Sequence, residues 1–157
     1  MNSEERDQYV TALEALTDQL AAITAGLGRD DLTTPYLAGE WSVAQNVHHL
    51  ADSHAIAYVR CLMIATQERP ALPGYDVDAW AALPAATGPD LTGSLALLRG
   101  VQSRWAAFFR ALPLADLERE GVGARGAISL GRMLQIYSGH GLAHIDQIRR
   151  TLAAKPA

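Results

Sequence analysis

The chain has 157 residues, the size of one domain, and its balance of 49% hydrophobic to 19% charged residues excludes a disordered polymer. A formal net charge of −4, with the basic residues scattered, argues against nucleic acid as a partner. The most apolar stretch, "AIAYVRCLMIA", is broken by Arg60 and too short to span a bilayer, so no membrane role is expected.

The polar, acidic start "MNSEERDQ" does not read as a signal peptide, and a lone cysteine, Cys61, excludes an internal disulfide framework. Together these predict a cytoplasmic protein. Four segments carry helical periodicity and none reads convincingly as a strand. In the first, Tyr9, Leu13, Leu16, Leu20, Ile23 and Leu27 recur in steps of four and three, with Ser3 at the start and Gly26 and Gly28 at the stop. The second runs from about Ser42, an N-cap, to about Thr66. Between it and the third lies "QERPALPGYDVDAWAALPAATGPD", proline-rich and too long for a tight turn. The third helix places Leu91, Leu95, Leu98, Val101, Trp105, Phe108 and Leu112 on one stripe and ends before Pro113. "REGVGARGAISL" reads as a surface loop. The fourth helix follows, with Ser129 as its cap and Leu130, Met133, Leu134, Tyr137, Gly141, His144, Ile148 and Leu152 along its stripe. The fold class is therefore all-α: one domain over residues 1–157, a four-helix bundle with a long crossover between helices two and three.

All five histidines fall on two of these helices: His48, His49 and His54 on the second, His140 and His144 on the fourth. Residues four apart on a helix are neighbours, so His140 and His144 share a face on or beside the apolar stripe. Two imidazoles placed there need partners for four ring nitrogens, and a metal satisfies two at once. With a third histidine facing them, the pattern points to a metal centre, against the plainer reading of hydrogen-bonded core histidines. The position after His140 is Gly141, so the H-E-x-x-H pattern of zinc proteases is absent. No E-x-x-H occurs either, which excludes a di-iron carboxylate bundle. Three neutral histidines leave a divalent cation its full charge and an open position, able to lower the pKa of water or to hold a thiol as thiolate. Periodicity alone does not choose the third ligand. The strongest stripe of helix two includes His54, while His49 lies nearly opposite with Ile56 and Met63. Both faces are partly apolar, as for a helix buried on two sides, one of them against a second subunit.

The ordered strings "GEWSVAQNVHHLADSH", "LPGYDVDAWAAL", "GSLALLRGVQSRW" and "HGLAHIDQIRR" resemble the DinB-like family, and within it the YfiT branch of metal-dependent hydrolases and bacillithiol transferases. The resemblance spans about Leu32 to Arg150. It implies a bundle whose halves are joined by a long crossover, assembled as a homodimer. It also implies that His49, His140 and His144 hold one divalent metal per chain; imidazole suits several transition metals, and the affinity order makes zinc or nickel the expectation. This sequence departs from the branch before helix four, where "EGVGARGAIS" replaces a His-Pro-containing hairpin.

Asp52, three residues after His49, is the candidate for support around the ligands or for taking a proton; the competing reading is a surface aspartate beside Arg60. Tyr137 and Gln147 flank the histidine pair, with core packing and a surface amide as their plainer roles. Asp76 and Trp80 match the branch's loop element and suit a lid or a loop anchor. Cys61 reads as an inert buried thiol, and Ser138 is not placed for a triad with His140. The expected function is a metal-dependent enzyme acting on a small-molecule substrate, with a low-molecular-weight thiol as nucleophile for S-transfer, or water for hydrolysis. The alternative is a non-catalytic, stress-associated metal-binding dimer.

Overall fold

A computed structural model of the chain describes residues 1–156. Four long helices form its frame: α1 (Ser3–Thr24), α3 (Val43–Thr66), α6 (Thr92–Ala111) and α7 (Leu130–Ala153). Three short helices, α2 (Arg29–Thr33), α4 (Val77–Ala81) and α5 (Pro84–Thr87), lie in the connections. A 3-10 turn at Leu114–Glu118 leads into a hairpin of β1 (Glu120–Gly123) and β2 (Gly126–Ser129).

Local chemistry sets the helix starts. Asn2 and Glu5 form a reciprocal capping box at α1, and Ser42 and Gln45 do the same at α3. Ser129 accepts the Arg132 amide at 3.2 Å to open α7. At its far end α1 gives way to Gly26, whose φ of +76° suits a residue without a Cβ.

The four helices enclose two apolar clusters stacked along the bundle. One gathers Leu13 of α1, Cys61 and Ile64 of α3, Trp105 and Phe109 of α6, and Leu130 and Leu134 of α7. The other gathers Leu16 and Leu20, Val43 to Leu50, Leu98, and Ile145 and Ile148 from the same helices. The order in which each helix visits the two clusters gives its direction. α1 and α7 run one way, and α3 and α6 the other. α1 packs against α6 and α7, and α3 packs against the same two, so α1 lies diagonally across from α3. α3 and α6 are thus parallel neighbours, and the chain between them must climb back along the whole bundle. At about 1.5 Å per residue, a helix of α3's length spans on the order of 35 Å, which no tight turn can cover. That is the physical reason for the long crossover, residues 67–91.

The crossover is tied down at several points. Gln45 Nε2 donates to the Ala81 carbonyl at 2.9 Å, and Arg60 Nε donates to Pro73 at 2.9 Å. His48 donates from Nε2 to the Gly88 carbonyl at 3.0 Å, leaving Nδ1 to accept from Ser94 Oγ at 2.7 Å. These contacts, with α2, α4, α5 and β1 also packed on it, bury α3 on more than one side within its own chain.

The segment expected to be a surface loop before α7 is instead the β1–β2 hairpin, a correction to the strand-free reading. Its strands are four residues each and glycine-rich, too short and too weak in β-propensity to show as a pattern. Tertiary pairing holds it. Val122 donates to Pro70 at 2.8 Å and accepts from Leu72 at 2.9 Å, fusing hairpin and crossover into one rim.

Gly141 has a packing reason to be glycine. A Cβ built there would lie 2.4 Å from Leu16 Cδ2, and Leu16 is itself buried in α1. The close approach seats α7, with both of its histidines, against α1. Gly141→Ala is expected to destabilise the protein by about 1–3 kcal/mol, the usual range for overpacking, read from denaturant unfolding. An unchanged midpoint would mean the helices part without cost.

Candidate metal centre

The histidines lie at mid-height, between the two apolar clusters. α3 and α7 are antiparallel neighbours here, so positions rising along one meet positions falling along the other. Asn46 faces His144, His49 faces both His140 and His144, and His54 faces His140.

Three ring nitrogens converge. His140 Nε2 stands 3.1 Å from His144 Nε2 and 3.5 Å from His49 Nε2, and one ligand atom from each of the three lies within 4.8 Å of the others. Tetrahedral ligands at about 2.0–2.1 Å from a zinc-sized cation are separated by roughly 3.3 Å, the size of two of these edges. The adjacent His48 turns away to hold the crossover, since successive helix residues point about 100° apart. His54 comes no nearer the group than the opposite edge of His140, its Nε2 lying 3.4 Å from His140 Nδ1. Of the two faces of α3 open on sequence grounds, the one carrying His49 meets His140 and His144.

Asn46 fixes one tautomer. Its Nδ2 donates to the Ser42 carbonyl at 2.9 Å, which turns Oδ1 toward His144 Nδ1 at 2.7 Å. An amide oxygen only accepts, so His144 carries its proton on Nδ1 and offers a bare lone pair at Nε2. Trp41 closes the same end. Its ring is 4.8 Å from that of His49 and stacks on His144 at 6.0 Å with 14° between planes. Periodicity could not single out Asn46 or Trp41, because each acts across helices and not along one.

Burial sets the charge state. Desolvation, and then the neighbouring imidazoles, push the pKa values of His49, His140 and His144 down to about 4. The three rings are therefore neutral at pH 7, as ligation requires. Asp52, the expected support, stands apart from the three rings. It makes no hydrogen bond to the three rings and does not line the cavity before them, and the side chain that acts on its carboxyl is His48. Desolvation raises its carboxyl pKa. The polar side chains that meet these rings from behind are Asn46, at His144, and His54, at His140.

A cavity of about 950 Å³ opens onto the three rings, walled by Ser53 and Arg60 of α3, Tyr75 of the crossover, Arg125 of the hairpin, and Arg132 and Tyr137 of α7. Its lining carries three arginines against one acid, Asp78. Arg60 sits 5.9 Å from the centre of the Tyr75 ring, and Tyr75 packs on Trp80 at 4.4 Å. Asp76 caps α4 through the Ala79 amide at 3.0 Å, so Asp76 and Trp80 shape the crossover wall without reaching the histidines. Gln147 donates to Glu40 and lies outside the cavity. Cys61 is fully buried, its thiol pushed up to about 12 by desolvation. Ser138 donates to the Gln135 carbonyl within its own helix and is not engaged with His140.

Residues 12–148 match the DinB superfamily. The chain is 35% identical to YfiT of Bacillus subtilis over 157 residues, covering 97% of this chain and 88% of that one. It is 36% identical to a protein of Geobacillus thermodenitrificans over 148 residues, 93% of this chain and 83% of that one. Both are provisionally named metal-dependent hydrolases. The solved structure of Bacillus subtilis YfiT, described as a probable metal-dependent hydrolase with an unusual four-helix bundle topology, superposes with a TM-score of 0.92 over 96% of this chain and 87% of that one.

Two outcomes follow from the geometry. Because the folded-state pKa values of about 4 lie below the ordinary 6.5, the unfolded chain binds more protons between those limits. Stability of the metal-free protein is thus complete above about pH 6.5 and lost as pH falls toward 4; thermal melts across that window should slope accordingly, and more gently in His144→Gln. Asn46→Ala should weaken metal binding on the order of ten- to a hundredfold in a chelator competition, while Asn46→Asp keeps an acceptor and should retain it.

Proposed function

The chain belongs to the DinB superfamily, and on that footing we propose that it is a metal-dependent enzyme in which His49, His140 and His144 hold one divalent transition metal. The observation that carries this reading is the convergence of three neutral imidazoles at the floor of a cavity. His144 presents Nε2 as acceptor only, so mutual hydrogen bonding cannot satisfy all three nitrogens, whereas a cation takes a lone pair from each. The donor set is all imidazole, suited to zinc or nickel.

A divalent cation held by three neutral ligands keeps its charge and supplies Lewis-acid stabilisation to an anionic nucleophile. We favour a low-molecular-weight thiol over water as that nucleophile. Among the described residues no carboxylate joins the three rings, the one acid of the cavity lining being Asp78 of α4, and a thiol with pKa near 8.5 needs less help than water to ionise. The excess of arginine around the cavity also suits an anion. Trp41, Tyr75 and Tyr137 supply apolar wall for the electrophile. Hydrolysis, the activity in the names of the relatives, is the second reading.

Metal content by mass spectrometry on untagged protein tests the centre. Wild type should carry close to one metal per chain, and His49→Ala and His144→Ala close to none. Thiol conjugation of a chloronitrobenzene should fall to background in both variants, with melting curves showing that they fold. Ester hydrolysis without thiol turnover would select water as the nucleophile. Metal without either turnover would favour a non-catalytic metal-binding bundle, and no metal after reconstitution would sink the proposal.

A further inference from the structure

His54 stands behind His140, outside the group of three, as a fully buried imidazole at the middle of the core. Its Nε2 lies 3.4 Å from His140 Nδ1, on the side of His140 away from His49 and His144, and the two rings are nearly parallel at 5.6 Å. Its other nitrogen, Nδ1, is buried with no hydrogen-bond partner. Trp105 and Tyr137 stand perpendicular to the ring at 5.8 and 5.2 Å, the arrangement in which an edge meets a π face.

Proton placement makes this pair consequential. Each neutral imidazole carries one N–H, and the short contact can be filled in only two ways. If His54 donates from Nε2, His140 accepts at Nδ1, carries its own proton on Nε2, and cannot offer that nitrogen to a cation. If His140 donates from Nδ1, its Nε2 is free, and His54 accepts at Nε2 with its own proton on the buried, partnerless Nδ1.

We propose that His54 is a positioning residue for the metal centre: by accepting the Nδ1 proton of His140 it holds that ring in the tautomer and orientation that presents Nε2 to the cation. Asn46 does the same for His144, but its amide oxygen leaves no choice of tautomer, whereas the imidazole of His54 allows both. His54 touches neither the cavity nor the converging nitrogens, so it acts only through His140. The inference rests on the metal reading above.

Zinc affinity, by competition with a chromophoric chelator, separates this role from packing when wild type, His54→Leu and His54→Gln are compared. His54→Leu removes the acceptor and a partnerless buried nitrogen together. It should weaken zinc on the order of ten- to a hundredfold while the metal-free protein melts no lower than wild type. Packing alone would move these in the other sense, with stability lost and affinity kept. Glutamine sets its amide near the place of Nε2, and His54→Gln should bind zinc within about threefold of wild type. In long-range proton–nitrogen spectra of zinc-loaded protein, the His140 Nδ1 proton should exchange slowly in wild type and His54→Gln and fast in His54→Leu. Wild-type affinity in His54→Leu, or a fast-exchanging His140 proton in wild type, overturns the proposal. If His54→Leu does not fold, the wild-type exchange rate decides alone. A wild type that takes no zinc defeats the metal reading itself, which a leucine variant binding like wild type does not.

Discussion

A layer of neutral imidazoles across the middle of an apolar bundle is the constraint around which this structure is organised. His49, His54, His140 and His144 interrupt what would be one continuous core and divide it into the two clusters above and below. Burial keeps them uncharged, and a buried polar ring needs a partner for each nitrogen. The bundle supplies partners only around the outside of the group. Asn46 holds one ring, His54 meets another, and Trp41 covers the end, while the inner nitrogens face one another. Under the proposed reading a cation would complete that arrangement, and its binding would then be coupled to the stability of the fold.

The helix directions follow from the same need. α3 and α7 must be antiparallel neighbours for their histidines to interleave, and α3 and α6 are then parallel. The chain climbs back along the bundle through residues 67–91, and that climb is put to use. Tied to α3 by Gln45, His48 and Arg60, the crossover joins the β1–β2 hairpin to raise a rim over the histidines. What topology demands as a connection becomes the wall of a cavity. The cavity is thus walled on one side by the bundle and on the other by the crossover and the hairpin.

The four long helices, their caps at Ser42 and Ser129, the need for a crossover and the histidine pair on α7 were all legible in the sequence. Each is encoded within a few turns of one chain segment, where periodicity and capping act. The hairpin was not, because its strands are short, glycine-rich and held by the crossover. Asp52 was singled out by its spacing from His49 along one helix, whereas Asn46 and His54 meet the histidines of α7 across a helix interface. The tie between His48 and the crossover likewise joins residues far apart in the chain.

By itself, then, the sequence determined the helices, the buried stripe on each and the presence of two histidine clusters, since these depend on local periodicity and on which side chains avoid water. Resemblance to relatives named His49 as the third member of the group. Only the tertiary structure decided which nitrogens converge and what stands behind His140 and His144. Those features depend on the relative height and rotation of α3 and α7. That placement is set by close packing such as the contact of Gly141 with Leu16, an interaction between helices that no pattern along one helix contains.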